Sequence, residues 1–210
     1  MSVEEITKLL SELVEIPSIS SDKAHREDVD SSAQCVENLF AGLGLNTQII
    51  KVAGGKPAVV AQTQIDPSKK TVLLYAHHDV QPVGDISLWE TQPFQPVVKD
   101  GRLFGRGSGD NKAGVVVHYF VVKQLLENLP VNIKVFIEGE EEIGSPTMNI
   151  FIEQNREALE ADVIVIADSG NVKIGVPTIT TSLRGLVDAI IEVDQPMRPI
   201  HSGVGGGIVP

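Results

Sequence analysis

Thr71-Val72-Leu73-Leu74-Tyr75-Ala76-His77-His78-Asp79 carries a strand-forming, mostly apolar run straight into two imidazoles and a carboxylate. A run of that length and composition reads as a buried strand. The same arrangement recurs along the chain. Residues 133–137 run into Glu138-Gly139-Glu140-Glu141-Glu142, and residues 163–167 run into Asp168. Gly105-Arg106-Gly107-Ser108-Gly109 delivers Asp110 just ahead of a helical pattern. In α/β folds the carboxyl ends of strands are where active sites gather. Imidazoles and carboxylates converging there point to a hydrolytic metal centre.

Outward from these runs, helical spacing covers residues 3–15, with Ile6, Leu9, Leu10 and Leu13 on one face before Pro17. A second helix is predicted over 25–43, with Val29, Ala33, Val36, Leu39 and Phe40 aligned and Gly42 and Gly44 near its end. Strands are predicted at 47–52 and 58–63, helices at 111–128 and 146–159, and a long loop over 82–101 that contains Trp89 and Phe94. Alternating strands and helices imply an α/β/α sandwich around a mainly parallel mixed sheet, occupying residues 1–177. Residues 178–194 alternate in strand fashion without visible partners, an exposed-edge problem. With the glycine-rich stretch that follows, residues 178–210 read as the truncated start of a second domain.

Composition works mainly by exclusion. Seventeen basic against 28 acidic residues give a net charge of −11, and no basic stripe with interleaved aromatics is present. Nucleic-acid binding is therefore disfavoured. No apolar run is long enough to span a bilayer. The acidic start Met1-Ser2-Val3-Glu4-Glu5 lacks a signal-peptide pattern, and the single Cys35 fits a reducing cytoplasm. Cys35 lies in an apolar-periodic stretch and is expected to be a buried structural thiol.

Each candidate site residue also has a bland reading. His77 and Asp79 sit two apart at a strand end and so share a face, which allows Asp79 to orient the imidazole; His78 points the other way. Alone, His77 reads better as a satisfied core or loop histidine. Asp110 is either a helix N-cap or a carboxylate bridging two cations. The glycines around it superficially suggest a phosphate cradle, but the P-loop spacing and the dinucleotide fingerprint are both absent. Adjacent carboxylates in Glu140-Glu141-Glu142 form either a solvated acidic patch or a split pair, one binding metal and its neighbour taking a proton. Asp168 is either a turn former before Ser169-Gly170 or a terminal ligand.

Taken in order, Ala76-His77-His78-Asp79-Val80, Gly105 through Lys112, Glu138 through Ser145, and Ala167-Asp168 resemble the cocatalytic zinc peptidase family. That family contains carnosine-type dipeptidases, carboxypeptidase G, acetylornithine deacetylase and succinyl-diaminopimelate desuccinylase. Ser182-Leu183-Arg184-Gly185 and Ile200-His201-Ser202-Gly203 resemble its entry into an α+β lid and dimerisation domain, and the stretch around Trp89 is most similar to the dipeptidase branch. The resemblance implies His77 and Asp168 on one zinc, Asp110 bridging, and Glu142 on the second zinc. It further implies Glu141 as general base, Asp79 holding His77, and a cis peptide between Asp110 and Asn111. His201 would polarise the substrate carbonyl, reaching across a homodimer formed through the lid.

The implied activity is hydrolysis of an amide bond by water activated between two zinc ions, with Mn2+ or Co2+ as alternatives. Implied substrates are dipeptides, short peptides or, in the deacylase branches, N-acyl amino acids. The second zinc's C-terminal histidine and most of the lid have no counterpart in the sequence, and His25, His78 and His118 do not fill the gap. The chain is thus expected to be the N-terminal part of a dipeptidase, weakly active or inactive alone. A non-catalytic binding or assembly role competes with this, and the retention of Glu141 with the four ligand positions counts against it.

Overall fold

The computed structural model describes residues 2–187 and 189–192. The chain divides into two units, Met1–Gly170 and Asn171–Pro210. The first holds five helices, α1 (Val3–Val14), α2 (Arg26–Gly42), α3 (Lys112–Leu125), α4 (Met148–Gln154) and α5 (Arg156–Leu159). Its strands are β1 (Asn46–Ile50), β2 (Ala58–Gln62), β3 (Thr71–His77), β4 (Val97–Lys99), β5 (Arg102–Phe104), β6 (Asn132–Glu138) and β7 (Val163–Ile166).

The main sheet has the order β1-β2-β6-β3-β7. β6, β3 and β7 pair in parallel, whereas β2 is antiparallel to both β6 and β1. Four strands therefore run one way and only β2 runs against them, the mainly parallel mixed sheet that the sequence implies. Alternation along the strands sorts side chains onto two faces. Leu74, Ala76, Val135 and Ile137 face one core with Leu9 and Leu13 of α1, Val36 and Phe40 of α2, and Val115 and Phe120 of α3. Leu73, Val60 and Phe136 face the other, with Phe151 of α4 and Leu159 of α5. Helices on both faces complete the sandwich.

Local signals explain most element ends. Ser2 caps α1 by accepting from the Glu5 amide, and the Glu5 carboxylate accepts from the Ser2 amide, a reciprocal capping box. The helix stops three residues before Pro17. The helix predicted over 146–159 is broken at Asn155, which leaves helical geometry at φ −127° and ψ 32°. The loop predicted over 82–101 proves partly ordered, because β4 and β5 form a hairpin across Asp100-Gly101, both at positive φ. An Asp-Gly pair between two short apolar runs is the usual signal for such a turn.

In the second unit, residues 178–187 and 189–192 form no strand. Alternation supplies a strand's two faces but not the ladder partner its backbone requires, and Leu183, Val187 and Ile191 are exposed.

Cys35 is half-buried against the first core rather than fully enclosed. His78 and His118 are buried and serve the fold: Nε2 of His78 lies 2.9 Å from the Pro57 carbonyl, and Nε2 of His118 lies 2.8 Å from the Tyr75 carbonyl. Burial pushes both imidazoles below their ordinary 6.5. A histidine depressed in the folded state contributes stability that is whole above the unfolded value and is lost as pH falls through the folded one. Urea midpoints should accordingly drop as pH is lowered from about 7 to 5. His118→Gln keeps a donor for Tyr75 but cannot titrate, so it should make that drop shallower. An identical pH slope in the variant would exclude His118 as a contributor.

Candidate metal centre

Because β3, β6 and β7 run in parallel, their carboxyl ends open on one edge of the sheet and bring three sequence clusters together. His77 ends β3, fully buried. Its Nε2 looks out at three carboxylates: Asp110 Oδ1 at 3.0 Å, Glu141 Oε2 at 3.7 Å and Asp168 Oδ1 at 3.8 Å. One ligand atom each from His77, Asp110 and Asp168 lies within 4.8 Å of the others, a group able to hold a metal ion. One imidazole nitrogen and two carboxylate oxygens suit zinc and similar divalent cations.

The helix-cap reading of Asp110 is removed by its neighbour. Asn111, not Asp110, caps α3, its side-chain oxygen accepting from the Gly114 amide. The Asp110 carboxylate is left 71% exposed, free to face His77. The peptide between Asp110 and Asn111 is cis, as the family resemblance implied. Asp168 is brought in by close packing. A Cβ on Gly114 would lie 2.0 Å from Asn111 Oδ1 and 2.3 Å from the Ala167 carbonyl oxygen. Only glycine lets the first turn of α3 sit against the end of β7.

Asp79 does more than the sequence reading gave it. Its carboxylate lies 3.3 Å from His77 Nδ1, whose nearest partner is the Asp79 carbonyl at 3.1 Å. The same carboxylate accepts from the backbone amides of Glu141 at 3.3 Å and Glu142 at 3.1 Å. Burial alone would raise its pKa; the His77 hydrogen bond and the positive charge of the imidazole override that and hold Asp79 below the usual carboxylate range.

The acidic run divides its labour. Glu138 and Glu140 point inward. Glu138 accepts from Tyr75 at 2.5 Å and Ser145 at 2.7 Å, while Glu140 accepts from the amides of Lys56 and Thr147 and from the Thr147 hydroxyl. They fasten the loop while Glu141 and Glu142 remain partly exposed. Glu142 falls outside the group of three, and its carboxylate accepts from Gln81, which also donates to the Glu142 carbonyl, both at 2.9 Å. Sequence reasoning counted Glu138 and Glu140 in the cluster without separating their roles from those of Glu141 and Glu142, and it passed over Gln81. His201 lies outside the described residues.

The electrostatics fit a site waiting for positive charge. Burial raises Glu141, and Asp168 and Glu142 add to the rise, while His77 opposes it. Asp168 and Glu142 are also raised, again chiefly by burial. Burial would lower His77, but Asp79, Asp168 and Glu141 outweigh it and carry the imidazole to about 9. Its contribution to the metal-free fold is therefore whole below the unfolded 6.5 and lost as pH rises through about 9. A groove of about 540 Å³ between β1–β2 and α4–α5 is lined by groups such as Gln48, Gln62 and Asn155, and none of the clustered carboxylates borders it.

Fold and site together define an α/β sandwich with a candidate divalent-metal centre at the carboxyl ends of its parallel strands. The sequence profile of peptidase family M20/M25/M40 matches residues 73–201, and the chain belongs to that family. It is 34% identical over 210 residues to the cysteinylglycine-S-conjugate dipeptidase of Corynebacterium striatum, covering 99% of this chain and 46% of that protein. Among solved structures it is similar to human carnosine dipeptidase 1, with a TM-score of 0.73 and 32% identity over 79% of this chain and 38% of that one. It is also similar to an M20 family metallo-carboxypeptidase from Sulfolobus solfataricus, with a TM-score of 0.69 and 35% identity over 81% and 38%. The chain spans about half the length of the curated relatives it matches.

Proposed function

We propose that these residues form the metal-binding and proton-transferring part of a zinc-dependent dipeptidase. The observation that carries this reading is the convergence of Asp110, Glu141 and Asp168 on Nε2 of one buried histidine. His77, Asp110 and Asp168 would hold a first cation, and Asp110 with Glu142 would contribute to a second. Bound zinc would supply a Lewis acid and lower the pKa of water. Glu141 would be the residue that accepts a proton from water and returns it to the leaving amine. Its raised pKa suits the task, since a base works best when its pKa approaches the working pH. Asp79 fixes the imidazole and the Glu141 backbone.

Similarity to enzymes named for Cys-Gly and β-Ala-His cleavage supports a dipeptide substrate. Residues 178–210 are read as the opening of a second domain, through which the whole protein would dimerise and place His201 at a partner's substrate. Consistent with that, the 210-residue chain should bind zinc yet cleave Cys-Gly or β-Ala-His only slowly. Zinc titration and amino-acid release test both halves. No zinc bound through His77, Asp110 and Asp168 would remove the metal reading. Rapid turnover by the 210-residue chain would remove the need for further residues. Faster release from N-acetyl amino acids than from dipeptides would favour deacylation.

A further inference from the structure

The segments 77–80 and 107–112, which carry His77 and Asp110, are both fastened to residues 13–19, where α1 ends and the following loop begins. On one side the Ser18 hydroxyl donates to the His78 carbonyl at 2.7 Å, and the Val80 amide donates to the Ser18 carbonyl at 3.0 Å. Ile19 adds a parallel bridge to Val80. On the other side, Lys112 reaches through the interior. Its Nζ donates to the carbonyls of Leu13 at 2.7 Å and Ile16 at 2.5 Å, and the residue is only 1% exposed.

The Lys112 stem also underlies the turn that carries Asp110. Its amide donates to the Gly107 carbonyl at 3.1 Å. A Cβ on Gly107 would stand 3.2 Å from Lys112 Cδ and 2.8 Å from Val80 Cγ1. Gly107 thus lies close against both Val80 and the lysine stem, with no room for a side chain between the two ligand-bearing segments.

Both carbonyls already accept from backbone amides, Leu13 from Ile16 at 3.2 Å and Ile16 from Ser18 at 2.9 Å, so the lysine is not there merely to supply a missing donor. Burying a lysine is costly. Lys134 makes an instructive contrast. It too is buried and donates to carbonyls of a helix end, Glu157 at 2.5 Å and Glu160 at 2.8 Å. Lys134, however, sits in the body of β6, four residues before the strand's carboxyl end, and holds no ligand-bearing turn.

We propose that Lys112 is a positioning residue: it ties the Asp110 turn to the stretch 13–19, whose later residues Ser18 and Ile19 hold His78 and Val80, and so sets the separation at which His77 and Asp110 share a cation. This rests on the metal reading of those two residues. The test uses the 210-residue chain and zinc affinity measured by competition with a chromophoric chelator, alongside urea unfolding. Lys112→Met should weaken zinc roughly 10-fold or more, the usual effect of losing a group that supports a ligand. Lys134→Met should lower stability but leave zinc affinity within about twofold, as expected of a site without supporting contacts to the metal.

Equal zinc affinities in the two variants, or a Lys112→Met chain that unfolds earlier yet binds zinc like wild type, would make Lys112 a helix cap only. Should Lys112→Met not fold, Lys112→Gln, which keeps a shorter donor, is read in the same way. Failure of both to fold would make Lys112 a folding residue and reject the proposal. Failure of the metal reading looks different: His77→Ala would then bind zinc as wild type does.

Discussion

Asp79→Ala is expected to weaken zinc binding by about 10–100-fold, the range found when a group orienting a metal-bound histidine is lost. The expectation lies toward the upper end of that range because Asp79 serves three donors at once. The His77 ring and the amides of Glu141 and Glu142 all lean on it. Its side chain is wholly buried, so no solvent replaces it when it is removed. Each donor stranded in this way costs about 1–3 kcal/mol, and the variant should therefore unfold at lower urea as well. Asp79→Asn separates the two effects. An amide keeps one acceptor oxygen but turns an NH2 group toward the remaining donors, so it should hold either the imidazole or the loop and fall between wild type and alanine. Calorimetric zinc titration of the three chains decides the matter. Wild-type affinity in Asp79→Ala would show that His77 is held adequately by the Asp79 carbonyl alone.

How much of this was legible beforehand follows from what each feature depends on. The strand bearing His77 is written in a local pattern, and so are the capped α1 and the long periodic α2. The direction of the sheet is inferable too, because strands alternating with helices favour parallel crossovers. Once parallel, the ends of β3, β6 and β7 must meet on one edge, which is why clusters 60 residues apart in sequence could be assigned to one site. What stayed hidden are choices between neighbours. Nothing local marks Glu138 and Glu140 as inward anchors and Glu141 as the residue facing His77. That division depends on Tyr75, Lys56 and Thr147, brought up by the fold. Lys112 and Gln81 are invisible for the same reason, since a lysine or glutamine in a sequence gives no hint of a carbonyl or carboxylate waiting across the fold. That Asn111 rather than Asp110 takes the cap was likewise not legible in two adjacent capping residues.

Glu141→Gln should separate chemistry from metal binding. The substitution keeps size and shape and removes only the ability to accept a proton. Zinc affinity should stay within a few-fold, because the group of ligand atoms consists of His77, Asp110 and Asp168 and does not require Glu141. Zinc-dependent dipeptide cleavage should fall by about 10²–10⁴, the usual contribution of a positioned general base. The electrostatics sharpen the expectation. Burial raises Glu141 in the metal-free chain, and a base acts only when deprotonated, so cleavage by the zinc-loaded parent should decline on the acid side as Glu141 takes up a proton. At saturating zinc, where protonation of the ligands Asp168 and Glu142 is suppressed, whatever activity remains in the glutamine variant should lack that limb. Measured as zinc affinity beside a pH profile of amino-acid release, the pair of readouts distinguishes a base from a ligand. Loss of zinc together with activity would move Glu141 into the metal's coordination. Retention of both would leave proton transfer to Glu142, which sits next to it on the same loop and is likewise raised chiefly by burial.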